Sequence, residues 1–352
     1  MPERPLRIVT YNVRYFGHAL RGLATTRRSL ERIAQRLASL TPLADVICFQ
    51  EVETRSLRST LAFRGTHTQL ESFMAAFERA FATSKLVFPY DAFHFRAHTY
   101  QFRSTTLYTT GLAVIVNRNR LHVEGHNVTS PHSITHHHVA RLRDTKQSRI
   151  CAHMKLGTRA GLAFHVFNTH LSLPTPFTRE FWSEKEKMGF GLNQLIEAKK
   201  LSSFVQAHAD GDPFVVCGDF NSSPASPVYR FLSEEVGWVG AQEALKQIDR
   251  SHSGFPTAGF FRLRMHLDHL FGGERHPLGG PRRDAAVRQR PVPRAVGPCA
   301  ADRPLRATAC QQGEQRGGLT YTRSSWPGWI QSSSVSSGSR EPSWCSRRGR
   351  PR

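Results

Sequence analysis

The chain has 352 residues and a formal net charge of +21, from 48 Lys and Arg against 27 Asp and Glu. That length holds one large α/β domain or two smaller ones and can bury a substantial core. No apolar run approaches ~20 residues, so a membrane-spanning helix is not expected. The positive balance suits a polyanionic partner without choosing nucleic acid over a phospholipid headgroup.

In chain order, Leu6–Val13 reads as a strand that ends in an amide, Asn12. It begins almost at once, with no charged-then-apolar leader, so no secretory signal is expected. Leu30, Ile33, Leu37 and Leu40 form a helical stripe that stops at Thr41-Pro42. Asp45–Val52 reads as a strand ending in a carboxylate, Glu51. Leu70, Phe73, Met74, Phe77 and Phe81 form a second helical stripe. Strand-like runs follow around 87–95, 111–117, 121–128 and 148–156. Phe164–Leu171 is a strand ending in a histidine, His170. Leu195, Ala198, Leu201, Phe204 and Val205 mark a third helix. After it, the apolar run Phe214–Cys217 ends in Gly-Asp-Phe-Asn, which delivers Asp219 and Asn221. His266–Phe271 is a short strand carrying Asp268. Strands alternating with helices argue for sheets covered by helices.

Open α/β sheets place ligand chemistry at the carboxyl ends of strands. A carboxylate there can hold a cation or orient a water. An amide two residues on, as in Asp219-Phe220-Asn221, points the same way if the backbone stays extended. The same residues also fit a simple Asx turn closing a strand. The repetition of polar ends favours chemistry: Asn12, Glu51, His170, Asp219, Asn221 and Asp268 all stand at strand ends.

Six blocks in order resemble the endonuclease/exonuclease/phosphatase family: Thr-Tyr-Asn-Val at 10–13, Gln-Glu-Val at 50–52, Gly-Leu-Ala-Val-Ile at 111–115, Asn-Thr-His-Leu at 168–171, Gly-Asp-Phe-Asn-Ser-Ser-Pro at 218–224 and Leu-Asp-His-Leu-Phe at 267–271. The resemblance implies a four-layer α/β/β/α sandwich of two mixed sheets over residues 1–273, and a phosphoesterase dependent on Mg²⁺ or Mn²⁺. By the same likeness, Glu51 is the metal ligand with Asn12 beside it. Asp219 orients the attacking water, Asn221 donates to a phosphoryl oxygen, and His170 bonds the phosphate in its protonated form. Asp268 matches an acid that orients a further histidine. Tyr108 is a candidate phosphate contact. Nucleic acid is the first substrate class expected; a phospholipid or inositol phosphate, or polyanion binding without turnover, are the alternatives. No obligate protein partner is evident.

One family block is missing. No Ser-Asp-His follows Phe271, and the only later histidine is His276, in Arg-His-Pro. His266, two residues from Asp268, is read on the same face as that acid, and His269 on the opposite one. A basic stretch with His132, His136, His137 and His138, then Arg141, Arg143, Lys146 and Arg149, reads as a solvated loop that contacts phosphates. The six cysteines show no metal-ligand spacing. Cys48, Cys151 and Cys217 sit in apolar strands, as buried free thiols suited to a reducing cytoplasm.

Residues 274–352 differ in kind. They contain 15 arginines, no lysine and five acids, with many Gly, Pro and Ser and no apolar periodicity. Such a segment cannot offset its ordering entropy by burial. It reads as a disordered basic tail, a linker, or, the favoured reading, out-of-frame translation from near Gly272-Gly273. Limited proteolysis is expected to remove residues beyond about 275 first and leave a resistant N-terminal fragment. A full-length chain that resists protease would contradict the compositional reading.

Overall fold

Apolar residues on both faces of the central strands dictate a layered molecule. The computed structural model describes residues 4–13, 23–56, 68–102, 105–136, 148–173, 188–248, 254–260 and 263–273. The segment 274–352 lies outside the described residues. The strands are β1 (Ile8–Asn12), β2 (Val46–Ser56), β3 (Tyr90–Phe102), β4 (Thr105–Asn117), β5 (Leu121–His126), β6 (His132–Ser133), β7 (Ile150–Thr158), β8 (Ala163–His170), β9 (Phe214–Asp219), β10 (Val239–Gly240), β11 (Ala258–Phe260), β12 (Leu263–Met265) and β13 (Asp268–Gly273). The long helices are α1 (Leu23–Ala38), α2 (Gln69–Thr83) and α3 (Leu192–Ala209).

The first sheet has the order β1-β2-β4-β3, with β1 and β2 parallel and the rest antiparallel. The second has the order β10-β13-β9-β8-β7-β5, with β8 and β9 parallel and β6 paired to β7. Both sheets are mixed. β11 and β12 form a separate hairpin.

Strand alternation sorts the buried residues into three layers of core. Val46, Cys48, Val114, Val116, Met154, Val166, Val215 and Cys217 pack between the two sheets. Ile47, Phe49, Ala113 and Ile115, one residue out of phase, face α1 and α2. Phe167, Val216 and Phe271 face α3 on the far side. The result is an α/β/β/α sandwich in which both sheets are covered on both faces. That explains why its strands read as continuous apolar runs rather than alternating ones.

The expected helices are present and longer than their stripes. α2 starts with a capping box: Thr68 Oγ1 accepts from Glu71 N at 3.2 Å, and Glu71 Oε2 accepts from Thr68 N at 2.7 Å. β3 and β4 are also longer than the runs at 87–95 and 111–117, because they form one hairpin that extends past β2. Cys48, Cys151 and Cys217 are buried free thiols. Among the described residues, no helix is long and apolar enough to cross a membrane.

β8 and β9 lie close together where the polar strand ends begin. Gly218 has φ +148°, and a Cβ there would collide with the carbonyl of Thr169. Gly218→Ala is therefore expected to cost about 3 kcal/mol or more in a denaturant titration. Gly125→Ala, where a Cβ meets nothing within 4 Å, should stay within about 0.5 kcal/mol. Equal midpoints for the two variants would contradict this packing.

Candidate active site

Side-chain parity carries the polar strand ends into one slot. On β1 the inward series runs Ile8, Thr10, Asn12; on β8 it runs Val166, Asn168, His170; on β9 it runs Val215, Cys217, Asp219. On β13, Asp268 shares its face with Leu270, a residue of the inter-sheet core, and pairs in register with Asp219. Each series passes from apolar to polar toward the same end of the sandwich.

Glu51 breaks the alternation. Following Gln50, it should point outward to the helices. Instead β2 bulges: Gln50 and Glu51 together oppose Leu112, between the pairs Phe49–Ala113 and Val52–Gly111. Glu51 takes φ 57°, in the left-handed region, which is unusual for so long a side chain. The bulge turns the carboxylate back toward the slot. There Asn12 Nδ2 donates to Glu51 Oε1 at 3.0 Å and to Asp219 Oδ2 at 2.8 Å. One amide thus ties the acid of the first sheet to the acid of the second.

Just below lies a buried amide layer. Gln50 Nε2 donates to Asn168 Oδ1 at 2.7 Å and to Thr10 Oγ1 at 3.0 Å. Asn168 Nδ2 donates to the carbonyls of Phe49 at 3.0 Å and Ala113 at 3.1 Å. Both side chains are fully buried. They fasten the two sheets where the slot opens.

Asp219 serves two purposes at once. Its Oδ1 accepts from Asn221 N at 2.9 Å, which is the Asx turn, while Oδ2 faces Asn12. Turn closure does not use the whole carboxylate: one oxygen closes the turn and the other is turned toward Asn12 in the slot. The extended path expected after Asp219 is not followed: Asn221 has φ 47°, so its amide folds back. Asn221 Nδ2 donates to Leu171 O at 2.9 Å and to His170 Nε2 at 3.2 Å. Both amide hydrogens are thereby directed within the protein.

His170 Nε2 stands 3.8 Å from both Glu51 Oε1 and Asp219 Oδ2. Burial, reinforced by the positive charge of Arg149, holds its pKa well below the ordinary histidine value. His170 is therefore neutral here, and its Nε2 accepts from Asn221. The protonated form expected from sequence belongs to the substrate-bound site, where a phosphate stands beside the ring.

Two buried side chains of α3 brace this arrangement. Gln194 Nε2 donates to Asn221 O at 2.8 Å, and its Oε1 accepts from Gly189 N and Gly191 N, each at 3.2 Å. Glu197 accepts from Ser172 N at 2.8 Å and Ser172 Oγ at 2.7 Å, just past His170. Neither residue stood out in the sequence, because a polar residue inside a helix ordinarily faces water.

Arg149 was read there only as part of a basic loop. It is buried at the entry to β7, and its Nε makes no hydrogen bond. The pairing of β7 with the strand that ends in His170 is the signal that could have singled it out. The same stretch is not simply solvated, as expected: His132 stacks on Phe204 with ring centres 4.1 Å apart and planes 7° apart. Arg141, Arg143, Lys146, His137 and His138 lie outside the described residues. Tyr108 is placed on β4 opposite Ser56 and Tyr100; its side chain lies outside what is described.

Around Asp268, His269 faces the opposite way as expected, whereas the placement expected for His266 is corrected. His269 points away from the slot and donates from Nε2 to Ser222 O at 2.7 Å. His266 precedes β13 rather than continuing it. Its ring packs 4.4 Å from that of His269, and its Nε2 lies 3.1 Å from Gln242 Nε2. It does not share the acid's face. Asp268 N and Leu267 N both donate to Thr257 Oγ1, at 2.9 and 3.0 Å, which fixes the start of β13.

A family model described as the endonuclease/exonuclease/phosphatase family matches residues 9–290. The chain belongs to this family. No curated protein matches it. Among solved structures it is similar to the human Nocturnin catalytic domain with bound sulfate, at 18% identity over 77% of this chain and 82% of that one, with a TM-score of 0.48. It is similar to an endonuclease/exonuclease/phosphatase from Bacteroides vulgatus, at 17% identity over 76% and 86%, with a TM-score of 0.49. It is also similar to a mannosyl-6-phosphatase from Bacteroides thetaiotaomicron, at 14% identity over 76% and 85%, with a TM-score of 0.46. Identities this low say nothing about substrate. Members of the family are phosphoesterase hydrolases and are generally dependent on divalent metal.

Among the described residues, no three His, Cys, Asp or Glu side chains enclose a metal-sized point. The slot instead offers two carboxylates and an amide, all hard oxygen donors. That set fits magnesium or manganese, which keep several waters and need only one or two carboxylates. The amide layer beneath can be tested without any metal. Gln50→Ala and Asn168→Ala each leave a buried amide without its partner and should cost about 1–3 kcal/mol. The double variant should cost clearly less than the sum. Strict additivity in a double-mutant cycle would contradict a direct inter-sheet bond.

Proposed function

We propose that the chain is a Mg²⁺- or Mn²⁺-dependent phosphoesterase whose reaction centre is the slot between the two sheets, with nucleic acid as the first substrate class. The observation that carries this reading is the Asn12 amide linking Glu51 to Asp219 across the sheets, within 3.8 Å of His170. Glu51 would hold the cation, with Asn12 beside it as an amide ligand or as the hydrogen-bonded neighbour of Glu51. The bound ion supplies charge neutralisation for the phosphoryl oxygens and favours an ionised water. Asp219, held by its turn, would orient the attacking water and also face the ion as its second carboxylate. Arg149 and His170 meet the phosphate, and an incoming phosphoryl oxygen competes with His170 Nε2 for one hydrogen of Asn221. The negative charge of a phosphate beside His170 offsets the burial that keeps the ring neutral and draws a proton onto it.

Nucleic acid is preferred because residues 1–273 carry 33 Lys and Arg against 22 Asp and Glu. The same charge serves a phospholipid or inositol phosphate, so substrate class is the finer part of the proposal. A second reading, polyanion binding without turnover, is favoured by one observation: the sequence has no Ser-Asp-His after Phe271. Asp268 then has no such histidine to orient, and His266, packed on His269, does not replace it. We read 1–273 as the functional unit and 274–352 as out of frame.

Hydrolysis of bis-p-nitrophenyl phosphate and nicking of plasmid DNA should stop in EDTA and return with Mg²⁺ or Mn²⁺. The chain as written should be slower by several orders of magnitude than one extended by a single base near codon 273. Full activity in EDTA would refute the metal assignment. Equal turnover in the two forms would refute the account of the missing histidine.

A further inference from the structure

A second polar cluster lies on the opposite face of the second sheet. His165 precedes His170 by five residues on β8, roughly 16 Å along the strand, and points toward α3 instead of the slot. Its ring is parallel to that of His153 on β7, within 3°, and His165 Nδ1 lies 2.8 Å from His153 Nε2. Asp212 Oδ2 lies 3.4 Å from the other nitrogen, Nε2 of His165. Asp212 can only accept, so the hydrogen of His165 sits on Nε2. Its Nδ1 therefore carries a lone pair, which accepts from His153 Nε2–H.

A third imidazole stands over this pair. His208, in the last turn of α3, has its ring centre 5.5 Å from that of His153. Its Nδ1 donates to the carbonyl of Phe204 at 2.9 Å, which leaves Nε2 as a lone pair. These groups line a cavity of about 710 Å³ with His126, Asn127, Lys155 and Asp210. The cavity sits at the carboxyl end of α3, where the helix dipole favours a cation. Lys155 is held at 3.6 Å from Asp212 and 3.9 Å from Glu124. Two carboxylates thus stand beside that ammonium, and Asp210 adds a further acid to the cavity lining.

We propose that His153 and His165 bind a divalent transition-metal ion, with Zn²⁺ as the reference, His208 as third donor and Asp212 as the carboxylate that orients His165. Imidazole nitrogens select such ions over Mg²⁺, and a carboxylate behind a ligating histidine fixes its tautomer. The metal-free pair is closed on its own hydrogen bond, so three donors do not already surround a point. Two nitrogens on a tetrahedral zinc stand about 3.3 Å apart, from Zn–N distances of ~2.0–2.1 Å. The pair therefore opens by about 0.5 Å, and the hydrogen of His153 moves from Nε2 to Nδ1 through solvent, with no net proton released. Burial keeps both rings neutral near pH 7, with His153 lowered to about 4. The site stands independently of the proposed phosphoesterase slot.

Calorimetric titration of the full chain with Zn²⁺, in excess Mg²⁺ to fill the oxygen slot, should show one tight site. Co²⁺ in its place should give visible bands of a nitrogen-ligated ion. His165→Ala and His153→Ala should each weaken Zn²⁺ at least about tenfold, Asp212→Asn by about tenfold, and Glu51→Gln not at all. His208→Ala removes an exposed side chain and reports on the site even if a core variant misfolds; near-UV circular dichroism without metal identifies any that does. Zn²⁺ binding that survives His153→Ala, His165→Ala and His208→Ala, or that is lost with Glu51→Gln, would overturn the proposal, as would no binding by the parent chain.

Discussion

The contact between Gln50 and Asn168 is the constraint on which the slot depends. Two sheets joined only by apolar residues would find their spacing by packing alone, and their ends could splay. A buried amide pair at 2.7 Å, with the backbone carbonyls of Phe49 and Ala113 as further acceptors, admits one spacing and one register. Asn12, Glu51, His170 and Asp219 lie directly beyond that layer. Their separations are thereby inherited from the sheets rather than set by loops. A site built on strand ends is held more tightly than one built on connecting segments.

Above that layer the backbone departs from regularity. Glu51 and Asn221 both occupy the left-handed region, and Gly218 takes a conformation that other residues rarely adopt. Such positions cost of order 1–3 kcal/mol each. They persist because neighbours over-determine them: the bulge in β2, the turn closed by Asp219, and Gln194 and Glu197 reaching down from α3. The strain falls on the residues whose side chains converge, and each distortion has a visible product. The bulge aims Glu51 inward. The left-handed turn at Asn221 returns its amide to His170.

The sheets were legible in the sequence because the physics that forms them is local. Apolar runs such as Phe214–Cys217 and Asp45–Phe49 announce strands buried on both faces, and polar residues at their ends announce the slot. Helices followed from stripes such as Leu70, Phe73, Phe77 and Phe81. What the sequence withheld depends on contacts between distant segments. Nothing in Gln-Glu-Val reveals that Glu51 sits in a bulge. Glu197 and Gln194 look like exposed helix residues until β8 and the turn after β9 supply their partners. Arg149 resembled its basic neighbours until strand pairing set it beside His170. The expectation for His266 failed because alternation was extended two residues past the start of β13.

The central claim is that Glu51 and Asp219, brought together from two sheets by Asn12, hold a hard divalent cation. Titration of the purified chain with Mn²⁺, followed by the loss of the free-ion paramagnetic resonance signal, tests this without requiring turnover. One site is expected in the parent chain, weakened at least about tenfold by Glu51→Gln and by Asp219→Asn, with His153→Ala as an unaffected control. Mn²⁺ affinity equal in the parent, Glu51→Gln and Asp219→Asn would contradict the account.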